Sequence, residues 1–250
     1  MTIPNPEKQQ HFLKNKKILE KEIVVARLKK TDDVVEIGAG DGRLTRLISP
    51  SVKSVTSYET DAGLKEILEN LKLKNVKFLF ENALLESWAG SNKIVSNIPY
   101  SLSEPVIMKA IKDGVKELTL IVGEKFAKLL KEKETKIGII SNLYFEIKFI
   151  EKISKDEFEP APRVDSFLIH MKRKKPTEIE LVLQSILEKE SKTKNAIIKT
   201  LQHYGKTKNE ARRIIDEMGL DRNNLEKSVK SLSGKIIEKL RKGLGELWKE

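Results

Sequence analysis

Apolar positions in the first half of the chain fall into short runs separated by helically spaced stretches. Asp33-Val34-Val35-Glu36-Ile37 reads as a buried strand ended by glycines. Lys53 to Tyr58, Val76 to Phe80, Lys93 to Ser96 and Leu118 to Val122 read as four more strands. Between them, Leu44 to Ile48 opens a helix, Ala62 to Leu71 has helical apolar spacing at Leu64, Ile67, Leu68 and Leu71, and Val106 to Ile111 is helical. Strands alternating with helices predict parallel strands with helical crossovers, a doubly wound α/β sheet. The pattern then changes. Ile139 to Ile150 and Val164 to Met171 read as strands without a long helix between them, which predicts an antiparallel addition at the sheet edge. Past a basic, proline-stopped linker at Lys172–Lys175, everything reads as helix: Glu178–Lys189, Thr193–Tyr204, Asn209–Met218 and Ser233–Leu244, with Gly205 and Gly219 as helix stops. The expectation is an α/β domain over residues 1–172 and a small helical domain over 176–250.

Composition narrows the chemistry. The chain has no cysteine, which excludes disulfides, thiolate metal sites and a cysteine nucleophile. Its three histidines lie far apart in sequence, so no metal site is expected. No apolar run approaches the ~18 residues of a membrane span, and no signal-type stretch follows Met1 to Pro6, so a cytoplasmic location without membrane contact is expected. The net charge of +11 is spread over both parts and favours a polyanionic partner.

Gly38-Ala39-Gly40-Asp41-Gly42 follows the first strand, and Glu59 ends the second. Glycines there let backbone approach a ligand, and an acid there can accept both ribose hydroxyls of a nucleoside. The spacing is G-x-G-x-G, not the G-x-G-x-x-G of dinucleotide enzymes, which favours S-adenosylmethionine over NAD. Asn82, after the third strand, can read an adenine edge or cap its own loop.

Asn97-Ile98-Pro99-Tyr100 follows the fourth strand, at the end of the sheet that faces the ligand crevice. An adenine N6 amine is a poor nucleophile because its lone pair delocalises into the ring. The Asn97 side-chain oxygen and the Ile98 carbonyl could accept its N–H groups and favour a more tetrahedral nitrogen. Pro99 would fix the turn, and Tyr100 offers a face for the base. Methyl transfer to that nitrogen needs in-line positioning more than an acid–base pair.

With these residues in view, the chain resembles the ribosomal RNA adenine N6,N6-dimethyltransferase family over most of residues 8–172. The resemblance is carried by Gln10-His11-Phe12-Leu13, Glu36-Ile37-Gly38-Ala39-Gly40, Asn97-Ile98-Pro99-Tyr100 and Phe158-Glu159-Pro160-Ala161-Pro162-Arg163-Val164-Asp165-Ser166. It implies a Rossmann-like S-adenosylmethionine-dependent methyltransferase domain with a small all-helical C-terminal domain for RNA docking. It also implies a substrate of two adjacent adenosines near the 3′ end of small-subunit (16S-type) rRNA, in a 30S pre-ribosomal particle, and a monomeric enzyme. By this resemblance His11, Leu13, Gly38, Gly40, Glu59, Asn82 and Asn97 would contact the cofactor, and Phe158 would join Tyr100 in holding the flipped adenine. A large-subunit rRNA adenine methyltransferase and a non-catalytic RNA-binding factor on the same fold are the alternatives. Departures from the family pattern are Gln9 in place of glycine, Asn82 in place of aspartate, Gly123-Glu124-Lys125 in place of Q-K-E, and the segment from Lys136 to Ser141. On a helical wheel Lys192, Asn195, Lys199 and Gln202 share one face, opposite Ile197, Leu201 and Tyr204, with Lys194 among the apolar positions. Lys192 and Lys199 are the expected phosphate contacts, because the family's basic motif aligns there.

Overall fold

In the computed structural model the described residues are 10–132 and 135–247; Gln9 lies outside them. The chain runs β1 (Phe12–Leu13), α1 (Lys16–Ala26), β2 (Asp33–Ile37), α2 (Thr45–Ile48), β3 (Ser54–Tyr58), α3 (Lys65–Glu69), β4 (Val76–Leu79), β5 (Lys93–Asn97), α4 (Ser103–Lys112), β6 (Glu117–Gly123) and α5 (Glu124–Glu132). It continues through α6 (Lys136–Tyr144), β7 (Phe145–Ile153), β8 (Phe158–Glu159), β9 (Ser166–Arg173), α7 (Glu178–Leu187), α8 (Thr193–His203), α9 (Lys208–Glu217), α10 (Arg222–Glu226) and α11 (Gly234–Leu247). Its contacts divide it into two compact units, one of residues 1–128 with 145–173 and one of 129–144 with 174–250. Residues 129–144 thus group with the C-terminal helices, a division that a single cut near residue 172 does not describe.

The first unit is built on a seven-stranded sheet in the order β4-β3-β2-β5-β6-β9-β7. Neighbours from β4 to β6 are parallel, and β9 runs antiparallel to both β6 and β7. Buried apolar side chains of β2, β3 and β5, among them Val34, Val55 and Val95, meet Leu19 and Ala26 of α1 and Ile48 of α2 in one core. Two of the helices are much shorter than their apolar spacing suggests. α2 has four residues and passes at Pro50 into a 3-10 turn; α3 has five and follows another such turn.

Ile139 to Ile150, expected as a strand, is divided instead: a helix to Tyr144, then β7 directly from Phe145. Thr135 Oγ1 accepts from Gly138 N at 3.1 Å and starts the helix. Ile137, Ile139, Ile140, Leu143 and Tyr144 are all buried, so α6 is apolar around most of its circumference and shows no helical stripe. It packs against α11 within the second unit. There α7 and α9 each begin with a reciprocal capping box, Thr177 with Glu180 and Thr207 with Glu210. Gly205 and Gly219 follow α8 and α9 closely and take positive φ, 89° and 59°.

The basic linker is partly absorbed into structure. Arg173 ends β9, and its guanidinium donates to the carbonyls of Ala110, Ile111 and Val115 at 3.2, 2.9 and 3.0 Å. Lys174 pairs with Glu180 at 2.6 Å.

Lys93, at the start of β5, is a buried cation. It donates to the carbonyls of Ala26 and Arg27 at 2.9 and 2.8 Å and pairs with Asp32 and Glu117 at 3.3 and 3.1 Å. It ties the end of α1 to three central strands or their approaches. Removing one partner of a buried ion pair strands the other, at a cost of about 3–5 kcal/mol. Lys93→Ala should lose stability on that scale in urea unfolding, and a loss under about 1 kcal/mol would show that water repairs the site.

Candidate active site

The site begins where two strands part. β2 and β5 pair at Val34–Lys93 and Val35–Ile94, and their ladder goes no further. Beyond it Ser96 Oγ bridges the gap, donating to the Ile37 carbonyl at 2.5 Å and accepting from Ile37 N at 3.2 Å. This is the switch point of the sheet, with β3 on one side and β6 on the other, and ligands of such folds sit outside the strand ends there.

The glycine loop is held open by its neighbours. The amides of Gly38 and Ala39 both donate to the Tyr58 carbonyl, at 2.8 and 3.0 Å. The Glu59 carboxylate takes Gly40 N at 2.9 Å on one oxygen and the amides of Thr60 and Asp61, both at 2.8 Å, on the other. A carboxylate has about four acceptor positions, so this one organises two loops and keeps one position for a ligand's hydroxyl. Gly40 has φ +57°, and a Cβ there would come within 2.9 Å of the Phe12 ring. The aromatic edge therefore needs glycine beneath it.

The N-terminal strand closes the site from above. β1 pairs with β8, Phe12 with Glu159 and Leu13 with Phe158. Arg43 donates to the Leu13 carbonyl at 2.7 Å, lies 5.2 Å from the Phe12 ring centre, and is clamped by Asp41 through bonds of 2.8 and 2.6 Å. His11 Nδ1 donates to the Pro160 carbonyl at 2.8 Å.

Two cavities result. One, of about 440 Å³, is lined by all seven expected cofactor residues: His11, Leu13, Gly38, Gly40, Glu59, Asn82 and Asn97. The other, of about 400 Å³, is lined by Ile98, Tyr100, Phe158 and Val164 among others. His11, Asn97 and Pro99 line both, so the cavities share a wall. Asn82 is exposed, and its Oδ1 accepts from Leu84 N at 3.0 Å, so it caps its own loop while lining the cavity. Tyr100 is placed by a 2.6 Å bond between its hydroxyl and Ser166 Oγ, and by Gly123, where a Cβ would sit 3.2 Å from the ring.

Sequence reasoning missed α1 and the acid it carries. Glu22 is fully buried, in the stripe of Leu19 and Ala26. Its two carboxylate oxygens lie 3.1 and 3.2 Å from one terminal atom of the Asn97 amide, and facing acceptors that atom is assigned as the NH2. A glutamate in register with an apolar stripe was the available signal. Glu36, equally buried, accepts from Thr45 Oγ1 and Ser57 Oγ, both at 2.6 Å on one oxygen, while its other oxygen has no partner.

In the second unit Lys192, Asn195, Lys199 and Gln202 are exposed, and Ile197 and Leu201 are buried. Lys192 precedes α8 and pairs with Glu226 at 2.7 Å. Lys194, placed by the wheel among the apolar positions, is exposed. Among the described residues no helix is long and apolar enough to cross a membrane.

A parallel sheet with a glycine loop after β2, an acid after β3, and an antiparallel β9 inserted beside β6 defines a Rossmann-like methyltransferase. The sequence profile described as ribosomal RNA adenine dimethylase matches residues 4–236, and the chain belongs to that family of rRNA adenine dimethyltransferases. A probable ribosomal RNA small subunit methyltransferase A of Pyrococcus abyssi is 33% identical over 178 residues, 69% of this chain and 66% of the relative. The ribosomal RNA small subunit methyltransferase A of Francisella tularensis is 31% identical over 217 residues, 77% of this chain and 83% of the relative. Two solved structures share the fold: the 23S rRNA methyltransferase ErmE, with TM-score 0.65, 21% identity and coverage of 94% and 99% of the two chains, and a dimethyladenosine transferase from Plasmodium falciparum, with 0.64, 22%, 95% and 98%.

Burial pushes Glu36 up from the ordinary 4.5 to about 7, against the pull of the two hydroxyls. The folded state therefore holds more protons than the unfolded chain between those values, and stability falls as pH rises through that window. The loss from this group is on the order of 3 kcal/mol. Urea unfolding at pH 5 and pH 8 should show a smaller pH dependence in Glu36→Gln than in the unmodified protein. Equal dependence would mean that Glu36 ionises as an ordinary carboxylate.

Proposed function

We propose that this chain transfers methyl groups from S-adenosylmethionine to N6 of two adjacent adenosines near the 3′ end of small-subunit rRNA, on a pre-ribosomal 30S particle in the cytoplasm. The observation that carries this is the wall of His11, Asn97 and Pro99 between a cavity of nucleoside size and one bounded by Tyr100 and Phe158. The names of the relatives support the small-subunit target.

The donor fits the larger cavity, where Glu59 would accept from a ribose hydroxyl and Gly38 and Gly40 would allow close approach. When bound, it supplies an electrophilic methyl group on a sulfonium. The remaining work falls to the chain's own residues. Tyr100 and Phe158 hold the extruded base, offsetting an unstacking cost of a few kcal/mol. Asn97 Oδ1 and the Ile98 carbonyl accept the N–H groups of the amine and leave its lone pair directed at the methyl. The turn is stiff: Leu102 N bonds the Pro99 carbonyl at 2.8 Å, and Ser103 Oγ the Tyr100 carbonyl at 3.0 Å. In the helical unit, Lys192 and Lys199 contact phosphates; the exposed Lys192–Glu226 pair is weak enough for a phosphate to displace the glutamate.

Labelled-methyl transfer to undermethylated 30S particles, with mapping of the products, should find two neighbouring dimethylated adenosines; methylation of large-subunit RNA alone would overturn the target. Two substitutions separate binding from chemistry. Asn97→Ala should lower the single-turnover rate on the order of a hundredfold, as losses of transition-state hydrogen bonds do, with a smaller effect on donor affinity. Glu59→Ala should weaken donor binding in calorimetry by about 1.5–3 kcal/mol. Normal turnover in the first would reduce Asn97 to a turn residue, and normal affinity in the second would remove Glu59 from the donor site.

Replacing Lys192 and Lys199 together by glutamine should weaken RNA binding and flatten the slope of log K against log salt by up to roughly two phosphate contacts. Donor binding should not change. Equal slopes for the two proteins would mean that this helix face does not touch RNA.

A further inference from the structure

We infer that Glu22 is a positioning residue for the proposed reaction: its buried carboxylate holds the Asn97 NH2 and so turns Asn97 Oδ1 toward the cavities as an acceptor. The inference rests on the reading of Asn97 as the acceptor for the adenine amine. It answers a question that reading leaves open. A side-chain amide has a donor end and an acceptor end of nearly the same shape. With no neighbour to choose between them, the amide of Asn97 could as readily present its NH2, which would oppose an incoming amine.

Glu22 makes the choice. It has no exposed surface, and both its oxygens lie within 3.2 Å of the Asn97 amide. While ionised, this carboxylate only accepts and the NH2 takes its side; once protonated it can donate to Oδ1 and release the amide. Asn97 lines both cavities and Glu22 lines neither, which leaves Oδ1 on the cavity side. Donation to an anion also polarises the amide and makes its oxygen the better acceptor. A buried acid in an apolar helix stripe is costly, and an aliphatic side chain would pack there without that cost. Burial and then the like charge of Glu36 push Glu22 well above the ordinary carboxylate range, and the Asn97 bond opposes them.

The test is a double-mutant cycle on 30S particles at saturating S-adenosylmethionine. Glu22→Leu should lower the single-turnover rate roughly tenfold or more, with donor affinity within about twofold. Placed on Asn97→Ala, it should cause no further loss, because it acts only through Asn97. In the protein without RNA, the Asn97 side-chain NH2 resonance, assigned by its disappearance in Asn97→Ala, should exchange slowly, and Glu22→Leu should remove that protection. Glu22→Met, which keeps the length of the side chain without an oxygen acceptor, runs the same cycle should the leucine variant fail to fold. Wild-type rate in the Glu22 variants, an equal further loss on the Asn97→Ala background, or an unprotected NH2 in the unmodified protein would each overturn the role of Glu22. Normal turnover in Asn97→Ala alone would instead overturn the reading of Asn97, and this inference with it.

Discussion

The parting of β2 from β5 is the constraint on which the site depends. Parallel strands that stayed paired to their ends would bring the glycine loop against the Asn97 turn and leave no room between them. The ladder stops at Val35 and Ile94, and the polar groups it would have satisfied at Ile37 are taken over by one hydroxyl, that of Ser96. Backbone groups in a buried position must find partners. A serine at this one place lets the sheet open without leaving any of them bare. The loop amides of Gly38 and Ala39 then turn the other way, to the carbonyl of Tyr58, and Glu59 gathers those of Gly40, Thr60 and Asp61.

Carboxyl groups are concentrated around this opening. Glu22, Glu36 and Glu59 come from α1, β2 and the end of β3; Glu36 raises the cost of ionising Glu22, and Glu59 that of ionising Glu36. Among the described residues no lysine or arginine offsets Glu36; two hydroxyls do. The cation that the strands do bury, Lys93, lies at the opposite end of β5 from Asn97. The sheet thus keeps its ion-paired, stabilising end apart from the end where acceptors are wanted. The helix α1 serves both, giving its terminal carbonyls to Lys93 and its Glu22 to Asn97.

Much of this architecture is legible in the order of residues alone. The strands of the parallel sheet stand out as short apolar runs, as in β6, or by alternation, as in β4, bounded by loops rich in glycine, asparagine or charge. The site residues stand out because they fall just past those strands, where chemistry has to converge. What escapes is of two kinds. α6 lacks a polar face, so its periodicity vanishes and its apolar residues mimic a strand. Glu22 breaks the stripe that would have announced α1, and its reason for doing so lies across the sheet at Asn97, a relation with no trace in local spacing. The pairing of β1 with β8 is of the same type: Leu13 and Phe158 are neighbours only through the fold.

The sheet order also sets a timetable for the nascent chain. β7 touches the sheet only through β9, which lies between it and β6. As the ribosome extrudes the protein from its N-terminus, strands β2 to β6 can pair as they emerge, but residues 145–153 must wait until 166–173 follow them. During that interval β6 stands as an uncovered edge, carrying the apolar run Leu118 to Val122, the kind of edge that pairs with a stranger. The segment between the two strands holds the Phe158 motif, so the cavity lined by Phe158 and Tyr100 is assembled only when the last strand closes the sheet.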